Sequence, residues 1–164
     1  MGMAMKLADY LRSHPVEYHL VQHPHSANSL EAAQGAHLPL AALAKAVVLE
    51  DENEHPVIAV LPASRKIDLD ALRAGTGRSL RLASEAGVGE RFADCKLGAV
   101  PPIGNAYGIE TIWDDSVATQ PEVYFEAGDH ETLVRVKTSD FVHLLEGAQH
   151  MAFSEPMQRA RSLF

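Results

Sequence analysis

The chain has 164 residues, of which 46% are hydrophobic and 6% aromatic, and its 14 basic and 22 acidic residues give a formal net charge of −8. This length favours one domain with a sizeable core, and the acidic balance argues against a protein that coats nucleic acid, because such proteins neutralise many phosphates. The single cysteine, Cys95, excludes an internal disulfide and a cysteine-rich zinc site, and it fits a reducing, cytoplasmic setting.

The N-terminal half of the sequence predicts short helices and strands in irregular alternation. It begins without the apolar run of a signal peptide or a membrane span, so we expect no membrane partner. Capping residues and apolar spacing predict helices over 6–13, over 26–35 with a serine or asparagine cap, and after a cap at Asp68. Alternating β-prone residues predict strands over 16–23, about 45–50, 56–63 and 79–84, with a helical turn from Pro39.

The C-terminal half predicts one helix, a long loop, three strands and a closing helix. The expected elements are a helix over 84–92, strands over 109–115, 122–128 and 132–138, and a helix over 138–148 capped by Thr138 or Ser139. Residues from Phe153 onward predict a loose tail. Strands that come mostly in hairpins, with helices placed irregularly between them, indicate an α+β fold with a mixed sheet.

Common catalytic and metal-binding motifs are absent from the sequence. It contains no G-x-G-x-x-G, P-loop or G-x-S-x-G pattern. The histidines of the segment 23–25 match no common zinc spacing, so no metal site is predicted. Cys95 follows Asp94, whose charge raises the pKa of a thiol, and a cysteine nucleophile is therefore not expected.

Lys45 stands alone within the apolar run LAALAKAVVLE. A buried ammonium is costly unless it reaches water or an anion. The sequence is equally compatible with a functional lysine and with a structural one that extends its charged end to the surface.

Residues 97–108, LGAVPPIGNAYG, form a segment that we call the Pro/Gly loop. Prolines fix the backbone, while glycines allow it to approach a ligand closely. The remaining amides of such a loop can stabilise a developing oxyanion. A tight structural turn before a strand explains the same composition.

The segment Gly128-Asp129-His130 has the composition of a hairpin turn. A histidine at this position can stack on a base or transfer a proton. A turn histidine without a function is the alternative interpretation.

These pieces, in this order, resemble the YbaK and prolyl-tRNA-synthetase-associated editing-domain superfamily of aminoacyl-tRNA deacylases. The resemblance covers roughly residues 5–148 and rests on four stretches. They are YHLVQHPHSAN, LAKAVVLEDENEHPVIAVLPASRKIDLDAL, the loop sequence GAVPPIG and the ending YFEAGDHETLVRVKTSDFVHLL.

The resemblance implies a fold, an activity and a set of site residues. The expected fold is α+β, with a mixed, partly barrel-like sheet and surrounding helices, in one editing domain over residues 1–152 followed by a tail over 153–164. The expected activity is that of a free-standing, cytoplasmic deacylase that hydrolyses the ester of a mischarged tRNA, without a cofactor or metal. Lys45, Gly98 and Gly104 would be catalytic. Substrate-binding residues would be Ala99, Val100, Pro101, Pro102, Ile103, Asp129 and His130.

The expected partner is the CCA end of a mischarged tRNA, with a synthetase as a possible helper, and no DNA. A local basic cluster of Arg65, Lys66 and Arg73 would attract the tRNA despite the acidic balance. The residue after Lys45 is Ala46, where an alanine-removing branch typically has asparagine. The resemblance therefore leaves open which small amino acid is removed: alanine, serine, threonine, cysteine or 2-aminobutyrate.

Two alternatives to this deacylase remain. One is a non-catalytic module of the same fold that binds tRNA or a synthetase, which the acidic balance and Ala46 favour. The other is a hydrolase of a different small ester or amide that uses the same pocket.

Overall fold

The computed structural model describes residues 2–26, 28–96 and 98–157. Five α-helices lie in these ranges: α1 Met5–Ser13, α2 Ser29–Gly35, α3 Leu69–Thr76, α4 Glu85–Arg91 and α5 Thr138–Leu144. The same ranges hold ten strands: β1 Tyr18–Gln22, β2 Leu43–Glu50, β3 Pro56–Pro62, β4 Arg65–Ile67, β5 Arg81–Leu82, β6 Glu110–Asp114, β7 Glu122–Glu126, β8 Thr132–Lys137, β9 Gln149–Met151 and β10 Ser154–Pro156. Short 3₁₀ turns cover Leu40–Ala42, Gly104–Tyr107 and Asp115–Thr119.

One mixed sheet organises the molecule. Its strands follow the order β1-β8-β7-β2-β3-β6-β9, with β5 paired to β2. The hairpin β2–β3 and the pairs β1–β8 and β7–β8 are antiparallel, while β2–β7, β3–β6 and β6–β9 are parallel. The predicted α+β class with a mixed sheet is confirmed, and the sheet is not a closed barrel.

Side-chain caps set the beginnings of three helices, and the sequence predicts the caps of the first two, a serine or asparagine before α2 and Asp68 before α3. Asn28, Asp68 and Ser84 each accept a hydrogen bond from the backbone amide three residues later, at 3.0, 3.0 and 3.1 Å. Each bond satisfies an amide that has no partner inside the helix. The cap predicted at Thr138 or Ser139 is wrong, because α5 follows Lys137 without a side-chain cap and the Thr138 hydroxyl donates to the carbonyl of Gln120.

The two faces of the sheet are covered differently. One face packs on a single large core that includes Ile58, Phe125, Val134 and Phe141, with α1 and α5 above it. The opposite face carries two smaller clusters. We call them the α3 cluster, in which Leu49 and Leu61 meet Leu72 of α3, and the α2 cluster, in which Leu43 and Leu133 meet Ala32 and Ala33 of α2.

The chain after residue 152 is more ordered than the sequence predicts. Phe153 is 1% exposed and packs in the α3 cluster, and Ser154–Pro156 pairs with β4. Asp114 anchors this segment by accepting hydrogen bonds from the Phe153 amide at 2.7 Å and the Ser154 hydroxyl at 2.8 Å. The loose tail predicted from Phe153 is therefore wrong for residues 153–156, and residues 158–164 of that tail lie outside the described residues.

Replacing Asp114 with alanine is expected to detach this C-terminal segment. The change leaves the buried Phe153 amide without its acceptor, so we expect a loss of about 2 kcal/mol in the free energy of unfolding. Urea denaturation measures the loss, and limited proteolysis detects release of the segment. Asp115→Ala is the matched control, since within the described residues its carboxylate pairs only with the exposed ring of His150. Equal stability of the two variants would contradict the anchoring role.

Candidate active site

Lys45 leaves β2 on the face of the sheet opposite to the large core. Ala44 and Val48 of the same strand belong to the large core, whereas Leu43 lies in the α2 cluster and Leu49 in the α3 cluster. Side chains alternate along a strand, so Lys45 shares a face with Leu43 and Leu49. It therefore lies at the seam between the two clusters.

The Lys45 ammonium is available for a ligand. Its side chain is half-buried, and in the described ranges it makes no hydrogen bond or ion pair. Burial lowers its pKa below the ordinary lysine value, because the charged form loses hydration. An anionic ligand at the seam would supply the partner that the chain does not.

Glu126, which no sequence pattern indicated as a site residue, lies beside Lys45 on the neighbouring strand β7. Ala44 pairs with Phe125 in the parallel ladder of β2 and β7, so the next residues, Lys45 and Glu126, are neighbours on the same face. Glu126 is 6% exposed, and neither carboxylate oxygen has a hydrogen-bond partner among the described residues. Burial, and then the charge of Asp129, raise the pKa of Glu126 to about 7.

Residues 99–104 of the Pro/Gly loop form a largely buried wall. Ala99, Pro101, Pro102, Ile103 and Gly104 are buried, and Ile103 belongs to the large core. Ile103 therefore attaches this part of the loop to the large core, and both prolines are buried beside it.

Several loop amides have no acceptor in the described part of the chain, and three of them lie at or before the 3₁₀ turn that begins at Gly104. These three belong to Gly98, Val100 and Ile103. Gly98 has a φ of 83°, a left-handed conformation that glycine adopts without strain. Free amides in a rigid loop are suited to stabilise an oxyanion.

The turn at residues 128–130 joins the loop to the end of β7. The Lys96 amide, immediately before the loop, donates to the Gly128 carbonyl at 2.8 Å. Asp129 is 1% exposed, and its carboxylate accepts from the amides of Glu131 and Thr132 at 2.9 and 2.8 Å. The Asp129 side chain thus shapes the turn, and its contact with a substrate stays a prediction.

His130 is covered by the histidine-rich segment 23–26. It is 5% exposed, its φ is 64°, and its ring meets the ring of His25 edge-on at 5.6 Å between centroids. Its carbonyl accepts from the Ser26 amide at 3.1 Å. In the described ranges, no three histidine, cysteine or acidic side chains are placed to hold a metal ion.

The structure brings some of the predicted site residues together and separates others. The loop and the turn meet directly at Gly128, two residues after Glu126, which neighbours Lys45. No hydrogen bond or ion pair in the described ranges joins Lys45 to the loop. The loop side chains Val100 and Ile103 pack with Ala46 on the large-core face, whereas Lys45 points to the other face. The end of β7 is therefore the element that connects them.

Cys95 is unsuited to nucleophilic attack. Burial raises the pKa of its thiol to about 12, and the charge of Asp94 adds to the rise. The sequence predicts that the Asp94 charge raises the pKa of this thiol, whereas in the structure burial is the larger cause of the rise. The thiol remains protonated near neutrality.

The predicted basic cluster is largely occupied by partners within the chain. Arg65 donates to the Ser154 hydroxyl, and Lys66 pairs with Glu155 at 3.1 Å. Arg73 lies 3.6 Å from the aspartate three residues earlier. The cluster therefore presents less free positive charge to a tRNA than the sequence predicts.

The fold and this arrangement define a small α+β domain with a lysine, a rigid loop and a histidine turn around the end of one strand. A model of the aminoacyl-tRNA editing domain matches residues 23–144. The chain belongs to this family, which supports aminoacyl-tRNA editing as its class of function. Among proteins of curated function, none matches the chain. No helix in the described residues is long and apolar enough to cross a membrane.

Solved structures share the fold over nearly the whole chain. A hypothetical protein aligns with a TM-score of 0.81 and 20% identity, covering 92% of this chain and 99% of that one. A structure described as a proposed trans-editing enzyme for prolyl-tRNA synthetase aligns with a TM-score of 0.78 and 24% identity, covering 93% and 96%. A proposed signal transduction protein from Marinobacter aquaeolei aligns at 0.69 and 19%, covering 90% of this chain but 29% of its own. At these identities the likeness shows the fold.

Proposed function

We propose that the protein is a trans-acting, cytoplasmic deacylase that hydrolyses the ester of mischarged tRNA carrying a small amino acid. The observation that carries the proposal is the half-buried Lys45, which has no partner in the described ranges, in a chain that belongs to the editing-domain family. The likeness to a proposed trans-editing enzyme for prolyl-tRNA synthetase supports a free-standing mode of action.

Hydrolysis of this ester depends on the positioning of water and substrate, and it does not require a reactive side chain. Water adds to the ester carbonyl, the bond to the ribose oxygen breaks, and the leaving hydroxyl takes up a proton. An aminoacyl ester is activated, so orienting water and stabilising the oxyanion are sufficient. The amide of Gly98, the exposed residue among Gly98, Val100 and Ile103, is the proposed oxyanion donor.

The remaining predicted residues have binding roles in this proposal. Lys45 meets a phosphate or the ester region at the CCA end of the tRNA, and His130 lies beside the acyl group. The buried residues of the loop, Ala99 and Pro101 to Gly104, form one wall. Because the chain is acidic overall, binding should be modest and should weaken as salt increases.

The test is a deacylation time course on tRNAs charged with alanine, serine, threonine, cysteine or 2-aminobutyrate. We expect multiple turnover on at least one of them, and at least a tenfold loss in kcat/KM for Lys45→Met, which keeps the apolar stem but removes the charge. Lys137→Met, at the exposed end of β8, is the matched control and should retain full activity.

Two results would overturn the proposal. Saturable binding of tRNA without turnover would support the non-catalytic module instead. Hydrolysis of small esters that lack tRNA, at rates equal to those on charged tRNA, would support the general hydrolase. Equal activity of wild type and Lys45→Met would remove the proposed role of the lysine.

A further inference from the structure

Glu126 is a buried acid that nothing in the described fold stabilises. It is 6% exposed, and both carboxylate oxygens lack a hydrogen-bond donor within the described ranges. Buried polar groups in folded proteins are almost always hydrogen-bonded, so an exception needs an explanation. A purely structural role would favour an apolar residue here, because the neighbours of Glu126 on this face are largely apolar.

The neighbours of Glu126 form one row across the sheet. Val21 pairs with Leu133, and Leu133 pairs with Glu126. On the other side, Lys45 is the neighbour and pairs in turn with Leu61. Glu126 and Lys45 are therefore two adjacent polar residues in this row. They lie between Leu133 of the α2 cluster and Leu61 of the α3 cluster.

Neither of the two charged side chains nearest Glu126, Asp129 and Lys45, provides it with a partner in the described ranges. The Asp129 carboxylate repels it and is engaged by amides of its own turn. Lys45, although it follows on the next strand, forms no ion pair with it in the described ranges. Glu126 thus lacks a cationic partner in the described ranges. Because it lies beside Lys45 and two residues before Gly128, a cation that paired with it would lie at the candidate site.

An aminoacyl ester carries such a cation next to its reacting carbon. Its α-ammonium group is separated from the ester carbonyl carbon by a single carbon, so a group that holds the ammonium also positions the carbonyl. A carboxylate makes short, charge-assisted hydrogen bonds to an ammonium. A peptide or an N-acylated ester lacks this charge and would leave the acid unpaired.

We infer that Glu126 binds the α-ammonium group of the aminoacyl ester, and so selects substrates with a free amino group; this inference rests on the proposed function. The carboxylate oxygens are buried, but no hydrogen bond in the described ranges holds them in place. Binding of the ammonium requires rotation about the χ angles of Glu126 toward the partly buried Lys45 on the neighbouring strand. The raised pKa of about 7 agrees with an acid that becomes fully ionised when a cation binds.

Binding of two matched probes tests the inference. They are 3′-alanylamido-adenosine, a non-hydrolysable amide, and its N-acetyl derivative. By calorimetry, wild type is expected to prefer the free amine at least tenfold, and Glu126→Gln is expected to bind both within about twofold of each other. Glu122→Gln, on the same strand but half-exposed beside Arg135, is the matched control and should keep the wild-type preference.

Proton release distinguishes recognition from a structural role. At pH 6 the free amine should displace a proton from wild type, visible as a dependence of the binding enthalpy on the ionisation enthalpy of the buffer. Glu126→Gln should show no such release. Thermal denaturation confirms that the variant is folded. A variant that keeps both the amine preference and the proton release overturns the inference, as does a wild type that binds neither probe.

Deacylation of Ala-tRNA and N-acetyl-Ala-tRNA separates this inference from the proposed function. If wild type hydrolyses both at equal rates, the deacylase function stands and the role of Glu126 is wrong. If wild type hydrolyses neither but prefers the free-amine probe through Glu126, the ammonium site stands and the deacylase function is wrong.

Discussion

Gly104→Ala is expected to destabilise the protein by roughly 3 kcal/mol, the upper end of the range typical of overpacked sites. A Cβ atom at this position would lie 1.9 Å from the Thr111 hydroxyl oxygen and 2.4 Å from the carbonyl oxygen of Ile109. The Thr111 side chain can rotate, but the Ile109 carbonyl belongs to the backbone. That backbone is fixed, since the Ile109 amide donates to the Gly104 carbonyl at 3.0 Å.

Urea denaturation of Gly104→Ala and Gly89→Ala measures this effect. Gly89 lies inside α4, and a Cβ there meets nothing within 4 Å. Alanine is the better helix former, so the control should be unchanged or more stable by up to about 1 kcal/mol. A loss below about 1 kcal/mol for Gly104→Ala would show that the chain from the loop to β6 adjusts easily, against the rigid wall described above.

The composition of the Pro/Gly loop can now be explained in structural terms. Gly98 permits a left-handed turn, Gly104 permits close contact with the chain entering β6, and the two prolines are buried between them. The structural and functional readings that the sequence left open are therefore compatible, because a loop fixed by packing also holds its free amides still.

Local rules predicted the parts of the fold that local interactions determine. The caps at Asn28 and Asp68 and the β2–β3 hairpin follow from residues close in sequence. The strands β4, β9 and β10 were missed because three residues carry no readable alternation. The parallel pairing of β2 with β7 joins distant segments, which no local pattern specifies.

The residues of the candidate site were likewise predictable only where the local sequence makes them stand out. Lys45 was evident because it interrupts a long apolar run. Glu126 was not, because alternation in VYFEAG does not tell which face of β7 is covered. Its burial becomes visible only when Leu133 and the strand β2 are placed beside it. The sequence likewise could not show that Val100 and Lys45 belong to opposite faces of the sheet.

Glu126→Gln is expected to stabilise the protein in a pH-dependent way. The pKa of Glu126 rises from 4.5 to about 7 on folding, so folding favours the protonated form. The contribution of this group to stability is fully present below pH 4.5 and is lost as the pH rises through 7. A rise of this size corresponds to about 3 kcal/mol. Glutamine has no charge to bury, so the variant should match wild type at pH 4 and exceed it by up to about 3 kcal/mol at pH 8.

Denaturant unfolding at closely spaced pH values from 4 to 8 provides the measurement, analysed as the difference between variant and wild type. The charged or titratable side chains nearest Glu126 are Asp129, Lys45, His23 and His130, and because both proteins contain them, their contributions largely cancel in that difference. Glu122→Gln should give a nearly flat difference, since Glu122 is half-exposed beside Arg135. A flat curve for Glu126→Gln as well would mean that the carboxyl is hydrated in solution, and it would remove the reason to assign this acid a cationic ligand.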